Sequence, residues 1–228
     1  MAHAISQTLN PVRIHGSILA SVEKKALIWI AERLPRWIQS DHLTLLGFLG
    51  MILTGISYAL SVWMPLAPLL ATFFLALNWF GDSLDGTLAR VRNRQRPRYG
   101  FYVDHAVDTI GILFVLAGLG VSPYMSLWVA AGFLIAYYIL CIEIYLSTAT
   151  LGEFKLSFGL LGPTELRILL GIGNLVLVFF PKMHLFDREL STFDVGGVPG
   201  IAILMILALY SMIKRSIQLY RLEPLPKE

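Results

Sequence analysis

Residues 43–81 read LTLLGFLGMILTGISYALSVWMPLAPLLATFFLALNWFG, 39 positions without a charged side chain. One helix crossing the hydrocarbon core of a bilayer needs only about 20 residues. The stretch therefore supplies two spans, broken near Met64-Pro65, where proline removes a backbone donor. A second uncharged run, Thr109 to Ile142, has Ser122-Pro123 in its middle as a turn signal and supplies spans three and four. Thr164 to Phe180 and Val198 to Tyr220 each approach the roughly 17 to 25 residues of a spanning helix and are spans five and six. The expected fold is an all-α, integral-membrane bundle of six transmembrane helices.

Composition points the same way. Of 228 residues, 56% are hydrophobic and 14% charged, against about 25% charged in soluble domains, and the mean hydropathy is +0.68. An ordinary soluble enzyme, a disordered chain and a disulfide scaffold do not fit these figures. The single cysteine, Cys141, rules out an internal disulfide or a cysteine zinc cage and reads as packing. Residues 1–17 lack the short apolar core and small-residue cleavage site of a signal peptide, so none is expected.

Lysine and arginine are segregated by the spans. Sixteen lie before span one (Arg13, Lys24, Lys25, Arg33, Arg36), between spans two and three (Arg90, Arg92, Arg94, Arg96, Arg98), around the link from four to five (Lys155, Arg167) or after span six (Lys214, Arg215, Arg221, Lys227). Only Lys182 and Arg188 fall on the other side. This bias places both termini in the cytoplasm and is more informative than the net charge of +3. Ahead of span one, residues 18–38 set Leu19, Val22, Ala26, Ile30 and Leu34 at helical spacing opposite Glu23, Lys24, Lys25, Glu32 and Arg33. That pattern suits an N-terminal interfacial amphipathic helix; a solvent-exposed helix is the alternative. The expected organisation is a cytoplasmic segment with this helix (1–40), a transmembrane catalytic domain (41–222) and a short cytoplasmic tail (223–228).

Carboxylates beside a membrane are costly and need a reason. Asp82, Asp85, Gly86 and Ala89 fall at i, i+3, i+4 and i+7, on one stripe of a helix, and Gly100, Asp104, Asp108 and Gly111 form a second stripe. If the two helices are antiparallel neighbours joined by the arginine loop, four carboxylates converge. Such a cluster requires cations or protons. Oxygen-only ligands point to Mg²⁺ or Mn²⁺, and two such ions can bridge a diphosphate during in-line displacement at phosphorus. The small residues would let a nucleotide approach, and Arg90 offers its donors to phosphate.

The run Asp82-x-x-Asp85-Gly86-x-x-Ala89-Arg90, nine residues, then Gly100-x-x-x-Asp104-x-x-x-Asp108 is similar to the whole signature of the CDP-alcohol phosphotransferases, eight positions over 27 residues. The family's six-helix core and amphipathic helix match the topology above. The resemblance implies that Asp82, Asp85 and Asp104 are metal ligands, and that Asp108 is the general base and also touches a metal. It further implies that the cytidine diphosphate is held by Gly86, Ala89, Arg90 and Gly100. Thr44 resembles a further nucleotide contact. The arginines from Arg92 to Arg98, Arg96 among them, are either phosphate ligands or charges that set topology. The activity implied is transfer of a substituted phosphoryl group from a CDP-linked donor to a lipid or polar alcohol, with release of CMP. Expected partners are these substrates and the membrane, with a homodimer as a candidate assembly and no nucleic acid.

Asp104-His105-x-x-Asp108, together with Phe158-Gly159 and Pro163-Thr164-Glu165, resembles the choline and ethanolamine phosphotransferase branch. In that branch His105 and Glu165 are candidates for deprotonating a lipid hydroxyl, a task suited to a neutral imidazole. The short chain, in contrast, resembles compact members that use CDP-diacylglycerol, so both directions of transfer stay open. Glu143, inside span four, either contacts the acceptor or pairs with Arg167. The five tryptophans, Trp29, Trp37, Trp63, Trp79 and Trp128, read as interface anchors or packing. An intramembrane prenyltransferase or a divalent-cation carrier would also use clustered aspartates, but would leave Gly86, Ala89, Arg90 and Gly100 without a purpose.

Overall fold

The computed structural model describes residues 20–152, 163–185 and 188–225. Its helices are α1 (Ala20–Arg33), α2 (Ser40–Leu60), α3 (Ala67–Val91), α4 (Pro97–Val121), α5 (Leu127–Leu151), α6 (Pro163–Phe179) and α7 (Thr192–Leu222). A two-stranded antiparallel hairpin, β1 (Lys182–Leu185) and β2 (Arg188–Ser191), joins α6 to α7. It is an addition to the expected all-α fold. The helix ends follow local chemistry. Pro97 opens α4, where its missing N–H has no helical partner to lose. The Ser126 hydroxyl caps α5 by accepting from the Val129 N–H at 3.3 Å. Gly152 ends α5 in the left-handed region, at φ 71°.

Among the described residues, four helices, α2, α4, α5 and α7, are long and apolar enough to cross a membrane. The chain is thus a multi-pass membrane protein. The segments expected as spans two and five form helices α3 and α6, but α3 contains Asn78, Asp82, Asp85 and Arg90, and α6 has 17 residues.

The helices pack in a row, with α1 and α6 on α3, α3 on α2, α2 on α4, α4 on α5, and α5 on α7. Inside lipid there is no hydrophobic drive between helices, so close backbone approach and polar links decide association. A Cβ added at Gly81 would lie 2.5 Å from the Gly47 N and the Leu43 O, so α3 approaches α2 only because glycine stands there. Gly55 and Gly118 allow a similar approach of α4 to α2. Polar links add to this: the Tyr58 hydroxyl donates to Asn174 Oδ1 at 2.8 Å, and Asn174 Nδ2 donates to Thr72 Oγ1 at 3.1 Å, tying α2, α6 and α3 together. Each such link contributes about 0.6 kcal/mol. α3 and α4 do not pack closely on each other. The expectation of direct neighbours is corrected here, because α2 contacts both and holds them apart.

The α1 stripe also differs from expectation. Leu19 lies outside the described residues and Val22 and Ala26 are exposed, while Ile30 and Leu34 of the expected stripe pack, partly buried, on the cluster of Leu27, Ala31, Leu43, Leu84 and Leu88. Glu23, expected on the polar face, turns inward. Its Oε1 accepts from Trp79 Nε1 at 2.7 Å, Ser83 Oγ at 3.3 Å and Thr164 Oγ1 at 2.9 Å. Those three donors tie this turn of α1 to α3 and α6.

Candidate active site

The separation of α3 from α4 leaves a cleft with α2 as its floor. Thr44, Gly47 and Phe48 line it from α2, Asn78, Asp82 and Asp85 from α3, and Asp104, Val107 and Asp108 from α4. Its cavity is about 10 Å³, roughly room for one water-sized atom or ion and far below the roughly 300–1,000 Å³ of an ordinary small-molecule pocket. The space suits ions and phosphate oxygens rather than a whole nucleotide. Asp82, Asp104 and Asp108, all half-buried, present oxygens within 4.8 Å of one another. A set of hard carboxylate oxygens at this spacing fits Mg²⁺ or Mn²⁺.

Asp85 lines the same cleft but is held differently. Thr44 Oγ1 donates to its Oδ2 at 2.5 Å, and the Gly86 N–H donates to its Oδ1. Ser40 Oγ donates to the Asp85 carbonyl at 3.0 Å, pinning the start of α2 to this turn of α3. Thr44 thus reaches the cleft, and the contact it makes there is with an acid.

Sequence reasoning missed two members of this site. Arg167, from α6, donates through Nη2 to Asp82 Oδ2 at 2.6 Å and through Nε to Asn78 Oδ1 at 2.9 Å. Asn78 in turn donates through Nδ2 to the Gly47 carbonyl at 3.1 Å. The expected pairing of Arg167 with Glu143 is therefore corrected: Glu143 is buried on α5 and accepts from Ser211 Oγ of α7 at 2.7 Å. An arginine inside an apolar helix calls for an anion, and four crowded aspartates were the candidates with charge to spare.

The family model for CDP-alcohol phosphatidyltransferase matches residues 37–210, a segment that contains every helix lining this cleft. The chain belongs to the CDP-alcohol phosphatidyltransferase family. That family is one of transferases of phosphate-containing groups. It is 31% identical over 188 residues to cholinephosphotransferase 1 of Gallus gallus, covering 75% of this chain and 54% of that protein. To cholinephosphotransferase 1 of Xenopus laevis it is 27% identical over 191 residues, covering 77% and 45%. The chain spans about half the length of the curated relatives it matches.

The remaining signature positions lie toward the end of α3 and at the start of α4. Gly86 and Ala89 are half-buried on α3, and Arg90 is exposed, its Nη2 donating to Thr87 Oγ1 at 2.9 Å. Gly100 is exposed, and a Cβ added to it meets nothing within 4 Å among the described residues. Arg96 pairs with Asp41 and stacks its guanidinium over Tyr99 at 4.1 Å. Arg92 donates to the carbonyls of Ile38, Leu34 and Pro35, closing the chain after α1 against the end of α3.

His105 does not line the cleft. Its ring stacks on Phe101 with centroids 4.2 Å apart and meets Tyr145 of α5 edge-on at 5.3 Å. Nδ1 lies 2.7 Å from the Phe101 carbonyl, which can only accept, so the neutral ring carries its hydrogen on Nδ1 and its lone pair on Nε2. Glu165 is half-buried in the first turn of α6, two residues before Arg167, and is not among the residues lining the cleft. Phe158 and Gly159 lie outside the described residues.

Proposed function

We propose that the chain transfers a phosphoaminoalcohol group from a CDP-aminoalcohol to diacylglycerol, releasing CMP and forming a phospholipid. One observation carries the reading: a complete signature folds so that Asp82, Asp104 and Asp108 present oxygens within 4.8 Å of one another. The likeness to two cholinephosphotransferases supports this direction of transfer over donation from CDP-diacylglycerol to a polar alcohol.

On this reading Asp82, Asp85, Asp104 and Asp108 hold two divalent cations, Mg²⁺ or Mn²⁺. Bound there, such ions neutralise the diphosphate and favour in-line displacement at phosphorus. Thr44 fixes Asp85 by its hydroxyl. Gly86, Ala89, Arg90, Arg96 and Gly100 receive the nucleotide, and the open space over Gly100 supports this, since no packing among the described residues requires glycine there. Asp108 takes the acceptor proton from the cleft side, while His105, with its Nε2 lone pair, assists from the side of α5, and Glu165 helps to admit the lipid hydroxyl. We take α3 and α6 as further spans, giving six, with α1 on the cytoplasmic headgroups, both termini in the cytoplasm and the cleft opening there. A homodimer remains a candidate assembly.

The test is CMP release by the purified chain in lipid nanodiscs. CDP-choline or CDP-ethanolamine with diacylglycerol and Mg²⁺ is expected to release CMP. Release only from CDP-diacylglycerol with a polar alcohol would reverse the direction, and no release from either donor would remove the transferase reading. Sidedness is checked by Arg98→Cys, whose thiol is expected to react with an impermeant reagent only from the cytoplasmic face.

A further inference from the structure

We infer that Arg167 is the resident counter-cation of the acid cleft, and that it sets how tightly the cleft takes a divalent cation. The inference rests on the metal reading of the cleft and concerns a residue outside the signature. Asp82, Asp104 and Asp108 crowd their oxygens within 4.8 Å, and carboxylates so close repel unless a cation or a proton intervenes. Arg167 places a charge that does not deprotonate at 2.6 Å from Asp82 Oδ2. The Arg167 and Asp82 side chains are only 17% and 23% exposed, which limits screening by water.

The guanidinium is held at a second point. The Gly47 carbonyl accepts from Asn78 Nδ2, which turns Asn78 Oδ1 toward Arg167 Nε. The chain of contacts runs from the α2 backbone through α3 to α6, so the cation is fixed by three helices. A divalent ion arriving at Asp82 therefore meets a carboxylate that already carries a partner of the same sign. What steadies the acids without the ion must oppose the ion, because the two stabilisations are linked.

The test uses the full chain in nanodiscs, stripped with EDTA and titrated with Mn²⁺ by electron paramagnetic resonance. Arg167→Gln removes the charge and is expected to bind Mn²⁺ about five-fold tighter or more. Arg167→Lys keeps the charge and is expected to stay within about two-fold of wild type. In thermal melts, Arg167→Gln is expected to fall below wild type in EDTA, with the gap narrowing in saturating Mg²⁺; a variant that purifies only with Mg²⁺ present supports the same conclusion. Equal or weaker Mn²⁺ binding by Arg167→Gln, or a melting gap that Mg²⁺ leaves unchanged, overturns the inference while the metal reading stands. If Arg167→Gln folds in neither condition, a clear change in Mn²⁺ affinity in Arg167→Lys overturns it. Wild type that binds no Mn²⁺ sinks the metal reading and this inference together.

Discussion

α2 and α7 are comparably apolar, yet 39% of the most apolar stretch of α2 is buried against 11% in α7. α2 carries Gly47 and Gly50 against α3 and Gly55 against α4, with Thr54, Ser57 and Tyr58 among its buried residues. α7 contacts α5 through residues such as Ala208 and sends Ile203, Ile206, Tyr210, Ile213 and Ile217 outward. Hydropathy says that a helix belongs in a bilayer; small and polar residues say which side of it meets protein. The half of the bundle around α2 holds helices at fixed separations and builds the cleft, whereas the α5–α7 half presents surface to its surroundings.

The sharpest way to break this contrast is to empty the cleft of one acid. Asp104→Ala is expected to lower CMP release by on the order of 10³-fold, since the lost charge acts on the transferring phosphoryl group. A melting temperature close to wild type would show that the loss is chemical. His105→Ala, on the flank that faces α5, is expected to cost on the order of 10² in turnover with diacylglycerol, with little change in the CDP-choline concentration giving half-maximal rate. Unchanged turnover at saturating substrates would assign proton removal to Asp108 alone, with Asp108→Asn then the severe variant.

Gly81→Val tests the backbone contact of α3 with α2. Its side chain would press on Gly47 and Leu43, and overpacking of this kind costs about 1–3 kcal/mol. Denaturant or thermal unfolding in detergent measures the loss, and wild-type stability would mean that the close approach is dispensable. The smallest effect is expected from Ile206→Ala on the outward face of α7, a change of no more than about 0.5 kcal/mol. A larger loss by the same measurement would mean that this face is packed against another chain.

The acids were legible because spacing and cost coincide: Asp82, Asp85, Asp104 and Asp108 fall on helical stripes at positions where a carboxylate is expensive. Arg167 was not, because its partner lies 85 positions away and only the packing of α6 on α3 brings them together. The separation of α3 from α4 was hidden for a related reason. A five-residue link, 92–96, normally implies neighbours, and the intervening contact with α2 depends on glycines whose partners the sequence does not name. The hairpin Lys182–Ser191 is too short for alternation to stand out. For α1, the inward turn of Glu23 was hidden because its donors, Trp79, Ser83 and Thr164, lie 56, 60 and 141 positions away along the chain.

That acid has mechanical meaning. Trp79, Ser83 and Thr164 all converge on one oxygen of Glu23, which makes it a pivot pin rather than a strap. α1 can tilt about such a point, but it cannot roll around its own axis without drawing the oxygen out of all three bonds. The roll angle is what decides that Val22 and Trp29 look away from the bundle. An interior atom thereby aims the exterior face of the helix, and Ser83, the residue after Asp82, is one of the three parts that hold the aim.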